Sequence, residues 1–89
     1  MKTITIRGID FTDSAELHDY LERELEFPDY YGRNLDALYD VLTDINEPTK
    51  ITVDMEGMED DGMYDYIGRV IRVLEDASKE NEALEIEVI

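Results

Sequence analysis

Hydrophobic and polar residues alternate in three short stretches of the chain, at its beginning, in its middle and at its end. The stretches cover residues 3–7, 51–55 and 84–88. This two-residue period predicts β-strands that bury one face and leave the other face in water. Parallel strands covered on both faces read as continuous apolar runs, so we expect helices on one side of this sheet only.

A helical period follows the first strand. Asp13 as N-cap and Glu16 three residues later form an aspartate variant of the capping box, which predicts a helix start. We expect the helix to end at Pro28, because the residue before a proline is pushed out of the helical region. Its inward stripe consists of Leu17, Leu21 and Leu25. His18 borders that stripe without partners at metal-ligand spacing, so we expect it to have a packing or hydrogen-bonding role.

The helical period returns over residues 63–80, where a broad apolar stripe predicts a helix that is well buried on one side. Its outer side offers two ion pairs at a spacing of four residues, Asp65–Arg69 and Arg72–Asp76. The acidic residues 56–62 before it predict a solvated loop. They do not have the ligand and glycine spacing of a calcium-binding loop.

A third helical stretch carries the unusual charge. Residues 30–44 begin as an aromatic loop that we expect to be exposed, and Asn34 then predicts the N-cap of a helix. Leucine, valine and isoleucine gather on one side of this helix, while Asp36, Asp40 and Thr43 gather on the other. Carboxylates four residues apart repel one another, so local stability does not explain this face.

The order of elements is strand, helix, helix, strand, helix, strand. Helical crossovers between strands imply parallel pairing with right-handed connections. We therefore predict a single α/β domain over residues 1–89, with a three-stranded parallel sheet and helices packed on one face. Residues 50–55 are expected to form the central strand.

The composition narrows the functional class. Twenty-four acidic residues against eight basic ones give a formal charge of −16, which argues against nucleic-acid binding and favours a basic protein partner. The absence of cysteine excludes disulfides and thiolate chemistry. No stretch resembles a membrane span or a signal peptide, so we expect a cytoplasmic protein without membrane contact, cofactor or metal.

A longer motif overlaps the acidic helix. Residues 24–43 read Glu-Leu-x-x-Pro-x-Tyr-Tyr-Gly-x-Asn-Leu-Asp-Ala-Leu-x-Asp-x-Leu-Thr. This pattern closely resembles the barstar family, whose members are intracellular inhibitors of secreted ribonucleases of the barnase type. The similarity extends over the whole chain in length and element order, and it implies a three-stranded parallel sheet with helices.

The resemblance also implies a mechanism and a set of contact residues. In that family, carboxylates of the second helix enter the ribonuclease active site in place of RNA phosphates, and Asp40 would be the central mimic here. The aromatic loop would cover the rest of the cleft. The matching positions are Tyr30, Tyr31, Gly32, Asn34, Asp36, Tyr39, Asp40, Thr43, Asp44 and, on the last helix, Asp76.

The chain departs from the family pattern around this face. Arg33, Tyr39, Asp44 and Asp76 stand where the family has glutamate, tryptophan, glycine and glutamate. Residues at the rim of an interface set partner choice. The resemblance therefore implies one-to-one inhibition of a barnase-like ribonuclease or of a related basic toxin.

Two other readings of the acidic face are open. The chain could be an acidic interaction module that binds a basic protein other than a ribonuclease, in which case many acids would contribute to binding. It could also be an enzyme with paired carboxylates, which would require Asp40 to line a deep apolar pocket. We expect no enzymatic activity, because the helix face is convex and carries no further reactive residues.

Overall fold

The computed structural model describes residues 1–59 and 62–89, and within these ranges it contains three strands and three α-helices. A 3-10 turn, Gly8–Asp10, follows the first strand. The elements are β1 (Lys2–Arg7), α1 (Ser14–Glu24), α2 (Leu35–Thr43), β2 (Thr49–Asp54), α3 (Gly62–Glu80) and β3 (Leu84–Val88). None of the helices in these ranges has the length and apolar character to cross a membrane.

The three strands form a sheet in the order β1-β2-β3, and all of its pairing is parallel, as the element order predicted. Strand β2 is central, which confirms the expected position of residues 50–55. Ile6, Ile51 and Val53 are fully buried against the helices, so the alternation of each strand separates a core face from a solvated face.

Strand β3 departs from its predicted pattern. Leu84 is buried, but Val88 is 44% exposed although the alternation places it on the core face. Because β3 is an edge strand, its side chains have a neighbouring strand on one side only, and their burial falls towards the end of the chain.

Helix α1 begins as predicted, with a variation in its cap. The Asp13 carboxylate accepts a hydrogen bond from the Glu16 N–H at 2.9 Å. The Glu16 carboxylate reaches one residue further back than a capping box requires and accepts the N–H and the hydroxyl of Thr12, at 2.7 and 2.8 Å. These two bonds lower the pKa of Glu16.

The end of α1 corrects the sequence analysis. The helix stops at Glu24, before Pro28 could act on it. Glu26 adopts a left-handed conformation with φ 56°, and the Phe27 N–H then donates to the Glu22 carbonyl at 3.0 Å. This arrangement is a Schellman motif, which satisfies helix carbonyls that would otherwise be unpaired.

Helix α3 supplies one side of the core, and its Asp65–Arg69 pair forms at 3.4 Å. Among the described residues, the predicted Arg72–Asp76 pair is not formed, so this expectation is wrong. The order explains the difference, because an acid that precedes a base by four residues suits the helix dipole better than the reverse. Of the loop expected at residues 56–62, Asp60 and Asp61 lie outside the described residues.

Candidate protein-binding site

Helix α2 presents the residues that the sequence placed at the centre of the site. Its start is capped as predicted, because the Asn34 side-chain oxygen accepts a hydrogen bond from the Ala37 N–H at 2.7 Å. Leu38 and Leu42 are fully buried and fix the inner side of the helix to the core. The polar residues on the outer side are therefore held in a defined orientation.

Three aspartates follow one another at a spacing of four residues along this outer side: Asp36, Asp40 and Asp44. We call them the carboxylate row. An α-helix rises about 1.5 Å per residue, so successive members lie about 6 Å apart along its axis. All three are exposed, and among the described residues none of their carboxylates has a hydrogen-bond or ion-pair partner.

Local stability accounts for only one member of the row. Asp36 lies in the first turn of α2, where the helix dipole favours an anion. Asp40 has a like charge four residues away on either side, which is unfavourable. Asp44 is the C-cap, at the negative end of the dipole. The last two positions therefore need an explanation outside the helix.

Arg33, the basic residue nearest to the row in sequence, is bound to α1. Its backbone is left-handed, with φ 57°. Its guanidinium donates to the carboxylate of Asp19 and, at 2.7 Å, to that of Glu22. The hydrogen bond with Asp19 is the main reason that the pKa of Arg33 is raised. Because α1 neutralises Arg33, the carboxylate row keeps its negative charge.

The two tyrosines before this arginine have opposite environments. Tyr30 is 86% exposed, as predicted for an aromatic loop. Tyr31 is only 5% exposed and packs against Phe27, so the expectation that it lies at the surface is wrong. It was misassigned because two adjacent tyrosines give no sign of which one turns inward.

His18 explains why Tyr31 is buried. The two ring nitrogens of His18 lie 2.5 Å from the Tyr31 hydroxyl and 2.6 Å from the Tyr66 hydroxyl. A neutral imidazole has one donor and one acceptor, so it can bind both hydroxyls. Burial lowers the pKa of His18 and raises the pKa of Tyr31. The histidine thus has the hydrogen-bonding role that was predicted, and it ties the loop to α1 and α3.

The remaining predicted contact residues lie in the loop, on α2 and on α3. Gly32 is exposed, and an added Cβ would lie 3.1 Å from the Ala37 side chain, so the loop runs close to the start of α2. Tyr39 and Thr43 are half-buried on α2, and the Thr43 hydroxyl donates to the Asp40 carbonyl at 2.9 Å. Asp76 is exposed on α3, which packs against α2.

The structure adds one residue that the sequence analysis missed. The Asn81 side-chain amide, just after α3, donates to the carbonyls of Leu42 and Ile45 at 2.9 and 2.8 Å. These bonds fix the C-terminal end of α2. An asparagine directly after a predicted helix is a common capping signal, but its partner on another element cannot be seen in the sequence.

A groove with a volume of about 280 Å³ lies beside the row. Asp40, Asp44 and Tyr30 are among the residues that line it. Its apolar lining consists of Leu25, Phe27, Pro28, Val41 and Ile45. Pro28 was assigned to a helix end and Val41 and Ile45 to the core, so no local pattern placed them beside the carboxylates.

The described residues of the site were compared with the requirements of a metal centre and of a carboxylate active site. In the part of the chain that the structure describes, no group of three or more His, Asp or Glu side chains is arranged to hold a metal ion. Asp40 is an exposed residue at the side of an open groove, whereas the enzyme hypothesis required a deep apolar pocket around it.

Comparisons with known proteins show which family this chain belongs to. The whole chain, residues 1–89, matches the family model described as "Barstar (barnase inhibitor)". The chain belongs to the barstar family. A protein of Bacillus subtilis (strain 168) that bears the name "Putative ribonuclease inhibitor YrdF" is 40% identical over 81 residues, which cover 90% of this chain and 89% of that protein.

Membership in the barstar family confirms the resemblance noted in the sequence, and the parallel α/β architecture is consistent with a barstar-like fold. Two of the departures from the family pattern have different structural consequences. Arg33 is neutralised inside the chain, so it does not place a free cation in the loop. Asp44 adds a further exposed carboxylate to the row.

Proposed function

We propose that this chain inhibits a secreted ribonuclease of the barnase type by inserting the carboxylate row into its active site. The observation that carries the proposal is the row itself, three exposed carboxylates without a countercharge among the described residues. The family membership and the name of the Bacillus subtilis relative support the same target class.

The chemistry of the target explains why such a row would inhibit it. A ribonuclease must hold the phosphates of its substrate with positively charged groups, so its active site attracts carboxylates as well. Hydrogen bonds between carboxylates and guanidinium groups are short, strong and geometrically specific. Asp40, in the middle of the row, would occupy the place of a phosphate, and RNA would then be excluded.

The structure also supports rapid and tight association. The formal charge of −16 attracts a basic partner from a distance. The face is already ordered before binding, because Asn34 caps α2 and His18 holds Tyr31 in the loop. An ordered binding surface loses little conformational entropy on association. An inhibitor of this kind acts in the cytoplasm, where it protects the cell from its own ribonuclease, with one inhibitor bound per enzyme.

The proposal is tested by inhibition assays with a panel of purified barnase-type ribonucleases and an RNA substrate. We expect inhibition of at least one enzyme of the panel, with an apparent inhibition constant that rises with RNA concentration, because both ligands compete for one site. Binding should also weaken with added salt. The double variant Asp36→Asn/Asp40→Asn should lose inhibition, whereas the control Glu56→Gln, with its change beyond the end of β2, should not.

The same experiment distinguishes the proposed function from the alternative that the chain binds a basic protein of another class. An acidic module of that kind would inhibit no ribonuclease, and alanine substitutions over many acids would each reduce binding to its partner slightly. Losses concentrated at Asp36 and Asp40 support the blocking of a catalytic cleft. Failure to inhibit any enzyme of the panel would exclude the proposed function.

A further inference from the structure

The groove beside the carboxylate row has no assigned role. It is formed where the end of α1 meets the end of α2, with Leu25 and Asp44 as the two C-caps. Its volume of about 280 Å³ is enough to hold one long side chain of a protein partner.

The electrostatics of the groove favour a cation. Two helix C-termini border it, and each carries a partial negative charge. Asp40 and Asp44 also line the groove, and their carboxylates have no partner among the described residues. The third acid of the groove, Glu26, is already paired with Lys2 at 3.0 Å. Two carboxylates thus remain for an external charge.

We infer that this groove receives an arginine side chain of the partner, with its guanidinium between Asp40 and Asp44. The inference rests on the proposed function, since it concerns how the same face recognises a basic ribonuclease. It goes beyond the phosphate mimicry of the row, because it assigns Asp44 and the apolar surface beside it to partner selection.

Arginine fits the chemistry of the groove better than lysine. Its aliphatic stem can cover the half-buried Val41 and Pro28 while its charged end reaches the carboxylates. Its planar fork can donate to two carboxylates at once. The exposed ring of Tyr30 offers a face on which a guanidinium can stack. The compact, strongly hydrated ammonium group of lysine lacks the planar fork.

Asp44 supplies the second unpaired carboxylate of the groove. The family pattern has glycine at this position, which would leave the apolar surface with a single unpaired carboxylate, that of Asp40. An added carboxylate increases affinity for partners with a cation at this place and disfavours partners with an anion there. The groove should therefore select among ribonucleases whose catalytic centres are alike.

The test is a double-mutant cycle on the complex with a ribonuclease that the wild-type chain inhibits. The inhibitor variants are Asp44→Asn, Asp40→Asn and the charge-matched control Glu56→Gln. Each arginine and each lysine around the active site of the ribonuclease is replaced in turn by alanine, and each arginine is also replaced by lysine. Dissociation constants are measured for all pairs, and thermal unfolding checks that each variant is folded.

We expect Asp44→Asn to weaken binding about tenfold, the effect of losing one charge-assisted hydrogen bond. That effect should disappear when one particular arginine is replaced by alanine, and it should be reduced when the same arginine becomes lysine. Glu56→Gln should change the dissociation constant by less than about twofold.

Other outcomes overturn distinct parts of the argument. If Asp40→Asn weakens binding but Asp44→Asn does not, the groove inference fails and the proposed function stands. If neither substitution weakens binding, both fail. If Asp44 couples only to a lysine of the ribonuclease, the assignment of arginine is wrong.

Discussion

Helices α1 and α2 differ in whether their polar side chains have partners within the chain. On α1, His18 binds Tyr31 and Asp19 binds Arg33, so these groups act within the chain. On α2, the carboxylate row has no partner in the part of the chain that the structure describes. In a protein with this many acids, the number of carboxylates does not locate a binding site. Three unpaired carboxylates at a spacing of four residues along one helix are what single out this face.

This difference separates stability from binding. A polar group with an internal partner contributes when the chain folds, so its removal should lower the free energy of unfolding. An exposed carboxylate without a partner contributes only when another molecule supplies the opposite charge. Substitutions on α1 should therefore change stability, and substitutions on α2 should change binding. Each of the following experiments tests that difference.

The largest expected effect is that of His18→Leu on α1. Leucine fills much of the same space but leaves the hydroxyls of Tyr31 and Tyr66 without their partner. An unsatisfied buried hydroxyl costs about 1–3 kcal/mol, so the free energy of unfolding should fall by about 2–4 kcal/mol. Urea denaturation followed by circular dichroism measures this change. A loss below about 0.5 kcal/mol would show that the histidine does not hold the loop.

The next effect concerns Asp40→Ala on α2, and it should appear in binding only. We expect inhibition to weaken about thirtyfold or more, because a buried charge-assisted contact is worth about 2 kcal/mol or more. The free energy of unfolding should stay constant or rise by a few tenths of a kcal/mol, since repulsion with Asp36 and Asp44 is relieved.

A matched acid on the sheet provides the control for Asp40→Ala. Glu85 is exposed like Asp40, but it is paired with Lys50 at 3.6 Å. Glu85→Ala removes the same charge and should leave the inhibition constant within about twofold of the wild-type value. Equal losses for the two variants would mean that net charge, and not the row, determines binding.

The periodic features of the chain were predictable from its sequence. The leucines of α1, the alternation in β1 and β2 and the caps Asp13 and Asn34 all reflect rules that act over a few residues. These rules were enough to predict a parallel sheet with β2 at its centre. The exposed positions of Asp36 and Asp40 followed from the same periodicity.

The features that could not be predicted depend on contacts between distant residues. Tyr31 turns inward, where its hydroxyl is hydrogen-bonded to His18, a residue 13 positions earlier in the chain. His18 is bound in turn to Tyr66, which comes from another helix. Arg33 could be read as a cation of the loop until its partners on α1 were known. The groove arises where the ends of α1 and α2 meet, and no local pattern records that meeting.

The smallest expected effect is the pH dependence that His18 gives to stability. Burial, assisted by the charge of Arg33, lowers the pKa of His18 below its ordinary value of 6.5. The unfolded chain therefore binds more protons at pH values between the folded and unfolded pKa. The contribution of neutral His18 is fully present above about pH 6.5, and it is lost as the pH falls below that value, by at most about 1.4 kcal/mol per pH unit.

The variant His18→Gln isolates this effect from the many carboxylates that also gain protons in acid. Glutamine keeps a donor and an acceptor for the two tyrosines but does not titrate. Urea denaturation of both proteins between about pH 8 and pH 5.5 should give unfolding free energies that run parallel above about pH 6.5 and separate below it, with the wild type losing more. Parallel curves over the whole range would mean that His18 is not kept neutral by the core, and the internal role of α1 would rest on Asp19 and Glu22 alone.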